Sequence, residues 1–299
     1  MSHHSLTEIS HAIAGYCSRF FNREETQPEL WTTALNSRQR LGLAANAEHR
    51  QLALLAGCQT DDDAVQERLA EALLHRTFDT RLGEALVGAQ HPELGHALAR
   101  PLAARDEADR IAEQAGFLLE MLDDLSQGRP SKAPPLSGQR TDYGNRRIAQ
   151  QQFSALAESC GVFNLPADSR QFNLLLGNLP GRATLHPDSR HVQVDFFLYD
   201  GAGLFGPMRR AVIQSALQIN QAGLIGRPFF IGLDSRHFLA GGCRIALDGL
   251  DAGQWLDALL YLNTQSLNCR ELFRTLALEY TEFGFQPAEA ADTQRRAYL

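Results

Sequence analysis

His191 to Gly201 reads HVQVDFFLYDG. Val192, Val194, Phe196 and Leu198 fall on one side of an extended chain, and His191, Gln193, Asp195 and Phe197 fall on the other. Period-two alternation of this length predicts a half-buried β-strand. Asp200-Gly-Ala-Gly203 ends the strand, and Pro207 suits the first turn of a helix, where its missing N–H costs nothing. The helix predicted over about 207–222 spreads Val212, Ile213, Ala216, Leu217 and Ile219 over a wide arc. Such an arc can face a sheet on one side and a second surface on the other.

On the C-terminal side, Pro228–Leu233 and Gly242–Leu247 flank Asp234-Ser-Arg-His-Phe238, which predicts a hairpin. Asp251 caps a last long helix carrying Trp255, Leu259, Leu262, Leu272 and Phe273. On the N-terminal side, Arg146–Cys160 carries Ile148, Phe153, Leu156 and Ala157 at helical spacing. Two short strands, Phe172–Leu176 and Arg182–Leu185, follow around a turn at Asn178–Gly181. The order is α-β-β-β-α-β-β-α, helices against a mostly antiparallel sheet, and the class is α+β.

Further upstream the grammar changes. Residues 127–145, QGRPSKAPPLSGQRTDYGN, hold three prolines and three glycines and predict a flexible linker. Residues 1–126 read as an all-α helical domain. Leu6, Ile9, Ile13, Tyr16, Cys17 and Phe20 form one stripe, Asp61–Asp63 cap a helix through Leu69, Leu73 and Leu74, and a third helix spans about 105–125. No Val/Ile/Thr-rich alternating run precedes residue 130. The domains expected are therefore 1–126, a linker, 146–287, and a polar tail at 288–299.

Charge follows the same division. The 299 residues carry a net −7; residues 1–126 have a net −9, the linker +2 and residues 146–299 zero. Nothing concentrates positive charge as a phosphate backbone requires, so nucleic acid is not expected. No apolar run reaches the roughly 18–20 residues of a membrane span, and the first fifteen residues lack the basic start of a signal peptide. Five isolated cysteines, with no CxxC pair, fit reduced thiols in a cytoplasm.

No catalytic motif emerges. GxSxG, GxxxxGK[ST], GxGxxG and HExxH are absent. The histidine pairs His3-His4, His91/His96 and His186/His191 lie in polar turns without nearby Cys or carboxylate clusters, so no metal or cofactor is expected. Asp123-Asp124 reads as a solvated helix end, and Cys243 as a packed thiol without an activating base. The chain is expected not to be an enzyme.

The order of elements after the linker resembles the class I chaperones of type III secretion, the Tir-chaperone (CesT-like) family. The residues carrying the likeness are HVQVDFFLYDG, the helix ending SALQIN (Ser215–Asn220), and the hairpin FFIGLDSRHFLAGGCRIALDGL followed by DAGQWLDALLYL. Leu217–Asn220 and Ile231–Asp234 stand in the family's register of Leu-x-x-Asn before an apolar-Gly-apolar-Asp strand. The likeness covers about residues 146–283, slightly under half of the chain.

The resemblance implies a cytoplasmic homodimer that binds an extended N-terminal segment of a secreted effector and delivers it to the export apparatus. Exposed strand faces and edges suit that task, since an unfolded segment can add main-chain hydrogen bonds while its side chains fill alternate pockets. The residues expected to touch the client are Leu175, Phe197 and Tyr199 on the sheet, with Ile148 and Phe153 on the first helix, over which family clients drape. The expected dimer interface is Val212, Ile213, Ala216, Leu217 and Asn220, paired about a two-fold axis. These residues also suit an internal core. A second reading, a regulatory adaptor, gives the acidic front domain a transcription activator or an export gatekeeper as its partner.

Overall fold

The computed structural model describes residues 5–22, 30–46, 51–77, 86–102, 106–130, 143–186 and 189–282. Most of the predicted linker and the whole predicted tail lie outside these residues. The chain is α+β, as the alternation of His191–Asp200 leads one to expect.

The front half contains α1 (Leu6–Phe21), β1 (Leu30–Ala34), β2 (Gln39–Asn46), β3 (Gln51–Cys58), α2 (Asp63–Thr77), β4 (Val87–His91), β5 (Gly95–Leu102) and α3 (Ala108–Ser126). The back half contains α4 (Tyr143–Ser159), β6 (Gln171–Leu176), β7 (Leu179–Leu185), β8 (His191–Asp200), α5 (Gly206–Ile225), β9 (Phe230–Leu233), β10 (Phe238–Ala246) and α6 (Ala252–Glu282). Both halves run α-β-β-β-α-β-β-α. Each holds one antiparallel sheet, in the orders β1-β2-β3-β5-β4 and β6-β7-β8-β10-β9. The fold has been laid down twice.

This corrects the expectation of an all-α front domain. Its three helices lie where the apolar stripes place them, but five strands run between them. β2 is QRLGLAAN and β3 is QLALLAGC, rich in leucine, alanine and glycine and without β-branched residues. β3 is buried at every position after Gln51, between β2 and β5, so pairing and burial override its weak strand propensity. The adaptor reading assumed a separate helical module, and the front half does not contain one.

Local chemistry sets the helix starts. Ser5 and Glu8 form a reciprocal capping box on α1. Asp62 Oδ1 accepts from the N–H groups of Ala64 and Val65 at the start of α2, at 2.9 and 3.2 Å, so the acidic run is a cap. Asp251 and Gln254 exchange the same pair of bonds at the start of α6. The apolar face of β8 then packs under α6, where Val192, Val194 and Phe196 meet a core that includes fully buried Trp255 and Phe273.

The two lobes are joined reciprocally. α5 lies against β4, α2 lies against β9, and the two helices touch. From α2 to β5 and from α5 to β10, residues 143 apart are equivalent: Thr77 answers to Asn220 and Gly88 to Ile231. Thr77 Oγ1 accepts from Gly88 N–H at 3.0 Å, and Asn220 Oδ1 accepts from Ile231 N–H at 2.5 Å. The buried set on α2 (Leu69, Ala70, Leu73, Leu74, Thr77) maps at this offset onto Val212, Ile213, Ala216, Leu217 and Asn220 on α5. Two copies of one helix thus meet about an approximate two-fold axis within a single chain.

Candidate functional site

Those five α5 residues are the ones expected to meet a second copy of the chain. They are buried inside one chain, at the seam between its lobes. The surface assigned to a homodimer is therefore already filled, which corrects that expectation. Asn220 Nδ2 donates to Gly88 O of β4 at 2.7 Å and to Ile231 O of β9 at 2.9 Å, so one side chain stitches both sheets. At the far end of the seam, Asn46 Nδ2 donates to Gly226 O at 2.6 Å. Arg209 forks onto Glu71, with Nη2 2.7 Å from Oε1 and Nε 3.3 Å from Oε2.

The residues expected to hold a client separate into two groups. Phe153 is fully buried and packs on Phe172, ring centroids 5.0 Å apart, so it belongs to the core that fastens α4 to β6. It is not a client-facing residue. A helix whose inner face anchors it to a sheet must bury its largest ring there, and Phe153 is that ring. Ile148, on the same helix, is 56% exposed, and Leu175 on β6 is 71% exposed. Phe197 and Tyr199 are half-buried on β8.

Strand register brings Leu175 and Phe197 into one row. Leu175 lies opposite Pro180 on β7, and Gly181 lies opposite Phe196, which places Pro180 level with Phe197. Phe197 in turn lies opposite Ala240 on β10. The row Leu175–Pro180–Phe197–Ala240 crosses the sheet on the side turned away from the apolar face of β8. A bulge between Leu239 and Ala240 interrupts the register just before Tyr199, which pairs with Leu239 outside this row. β6 is an edge strand of the sheet, and Leu175 stands on that edge.

Beside the apolar row runs a polar one. Arg182 lies opposite Asp195, and Thr184 lies opposite Gln193. Asp195 is 2% exposed; its Oδ1 accepts from Gln193 Nε2 at 2.9 Å, and its Oδ2 sits 3.3 Å from Arg182 Nη2. Arg244 Nε reaches Gln193 Oε1 at 3.4 Å. Desolvation raises the Asp195 carboxyl above its usual range, against the pull of Gln193 and the two arginines. Leu98 and Gly241 are 143 apart and lie opposite Ala56 and Phe196, so the register aligns Arg182↔Asp195 and Thr184↔Gln193 with Gly42↔Leu55 and Ala44↔Ala53 of the front sheet. One lobe thus packs apolar residues into its core where the other places a charged ladder.

Neighbouring candidates carry less chemistry. Cys243 is buried, and burial pushes its thiol up to about 12, far from a nucleophile's range. Cys17 and Cys269 are pushed up to about 11 for the same reason. His91 Nδ1 accepts from the N–H groups of Glu93 and Leu94, so it shapes the β4–β5 turn. Asp123 and Asp124 share the Arg129 guanidinium, each at 2.9 Å, at an exposed helix end. His3 and His4 lie outside the described residues. No described helix is long and apolar enough to cross a membrane.

No family model matches the sequence, and no curated protein matches it. Among solved structures the chain is similar to the crystal structure of the ExsC–ExsE complex, at 14% identity and a TM-score of 0.35, over 42% of this chain and 93% of that one.

Proposed function

We propose that this chain is a type III secretion chaperone-like protein that holds an extended segment of a secreted effector and presents it to the export apparatus. It works by binding alone, in the cytoplasm, without nucleotide or covalent chemistry. The observation that carries this reading is the edge strand β6, paired among the described strands with β7 alone, with Leu175 exposed upon it and the row continued inward by Pro180 and Phe197. An unfolded segment laid along β6 gains main-chain hydrogen bonds from the edge and buries alternate apolar side chains on the row. Ordering such a segment is costly, and apolar burial must offset that cost.

The duplicated fold gives the reading its economy. A scaffold built on an approximate two-fold axis needs two copies of α5 in a homodimer. Here α2 and α5 supply both from one polypeptide, and their side chains are free to diverge. The two sheets have diverged: positions that carry Arg182, Asp195, Thr184 and Gln193 in the back sheet hold buried apolar residues in the front one.

The test is purification of the full chain from its native host, as wild type and as Leu175→Asp and Phe197→Asp. The expected result is an exported protein recovered with the wild type and depleted at least tenfold with either variant. Recovery of no exported protein, or equal recovery with all three, contradicts the reading.

A further inference from the structure

α2 and the β9–β10 turn, which belong to different lobes, bring two imidazoles and a carboxylate together. Glu71 and His75 are four residues apart and share one face of α2. His237 closes the turn between β9 and β10. One donor atom from each lies within 4.8 Å of the others, the one such grouping of His, Cys, Asp and Glu found among the described residues. His75 and Glu71 approach to 3.8 Å (Nε2 to Oε1), and His237 Nδ1 lies 3.7 Å from the same oxygen. We propose that Glu71, His75 and His237 form a zinc-class transition-metal site that clips the two lobes together.

Three features of the geometry favour a metal. The first is orientation. His75 Nδ1 is 3.0 Å from Leu233 O, and a carbonyl only accepts, so that nitrogen carries hydrogen. In the neutral ring the lone pair then sits on Nε2, the atom aimed at Glu71. A backbone carbonyl fixing the far nitrogen is the usual support of a metal-binding histidine.

The second feature is rigidity. His237 has a φ of 64°, a left-handed conformation uncommon for a side-chain-bearing residue. Asp234 holds it there: its Oδ1 accepts from the N–H groups of Arg236 and Phe238, and its carbonyl accepts from His237 N–H. His237 O is held in turn by Gly201 N–H at 2.9 Å.

The third feature is distance. Zinc–nitrogen and zinc–oxygen bonds of about 2.0–2.1 Å at a tetrahedral angle place neighbouring donors about 3.3 Å apart. The two measured separations exceed that by about half an ångström, which small side-chain rotations supply. A water completes the four donors of an open site.

Arg209 shares this neighbourhood. Its Nη2 touches Glu71 Oε1 and lies 3.5 Å from His237 Nδ1, while Nε holds Oε2 and Nη1 holds Gly201 O at 3.1 Å. With Oε1 given to the metal, the guanidinium keeps Oε2 and the carbonyl, and it fixes the carboxylate from behind. Imidazole and carboxylate together suit zinc over magnesium or calcium, which prefer all-oxygen sites.

The experiment uses the full chain stripped with chelator, with zinc chloride alone as the probe, in calorimetric titration and thermal unfolding. The variants His75→Gln and His237→Gln alter partly exposed side chains, and His11→Ala is an exposed control on α1. One zinc per wild-type chain is expected, with binding about tenfold or more weaker in each of the first two variants and unchanged in the control. Zinc should raise the unfolding midpoint of the wild type and the control alone, because only they gain the cross-lobe clip. Absence of a stoichiometric zinc in the wild type overturns the proposal. So does wild-type affinity retained in His75→Gln and His237→Gln, which would place the metal elsewhere, and so does binding without a rise in the wild-type midpoint.

Discussion

Arg210 Nη2 lies 3.3 Å from Glu67 Oε2 across the seam, and the two residues occupy equivalent positions of the duplicated fold, 143 apart. A residue on a true two-fold axis meets its own copy, so a charge placed there repels itself. A duplicated chain escapes that constraint by giving one copy Glu and the other Arg. The pair is half-exposed and is worth about 0–1 kcal/mol. Arg210→Glu should lower stability by up to about 1 kcal/mol, and adding Glu67→Arg should restore it, as read by a urea-unfolding cycle. Equal losses in the single and double variants would remove the pairing.

Asn220 carries more of the seam. It makes three hydrogen bonds while fully buried, to Gly88 O, Ile231 O and Ile231 N–H. Asn220→Ala strands the Ile231 N–H and the Gly88 carbonyl away from water and should cost about 2–4 kcal/mol. Denaturant unfolding measures this directly. A loss under about 1 kcal/mol would show that the seam does not depend on it.

Acid should loosen the same seam. Glu71 is held down to about 2, from 4.5, chiefly by its contact with His75, with Arg209 adding to it and burial opposing. Its folded value is depressed, so its contribution is complete above pH 4.5 and is lost as pH falls from there towards 2. The stability difference between wild type and Glu71→Gln should be about 2 kcal/mol near neutrality and should shrink through that window. A difference that stays constant from about pH 6 to about pH 2 would contradict the assignment.

Phe153 and Leu175 separate folding from binding. Phe153→Ala empties a buried site against Phe172 and should cost about 3–5 kcal/mol. Leu175→Ser changes a side chain that is mostly in water and should move stability by less than about 0.5 kcal/mol, yet weaken client binding. A Leu175→Ser variant that unfolds like Phe153→Ala would place Leu175 in the core.

The back lobe was legible because its strands alternate and its turns announce themselves. His191–Asp200 shows the period of two, Asp234–Phe238 the turn, and Asp251 the cap. The front sheet was not legible, because β2 and β3 are written in Leu, Ala and Gly, a composition without the β-branched signal of a strand. The recoverable signal is spacing. The apolar helical stripes recur in the same order, and Leu69, Ala70, Leu73, Leu74 and Thr77 match Val212, Ile213, Ala216, Leu217 and Asn220 at a fixed offset. Sequence placed Val212 and its neighbours at an interface but could not say that the partner surface is in the same chain. The cluster of Glu71, His75 and His237 was hidden for a related reason: its members come from opposite halves of the sequence, and only the seam joins them.

The native mass of the full chain tests the central claim most directly. Light scattering at micromolar concentration should return one chain, 33.1 kDa, because α5 already has its counterpart in α2. A mass of two chains that Leu217→Glu reduces to one, with the fold retained, would mean that α5 meets a second copy instead, and would contradict a seam closed within one polypeptide.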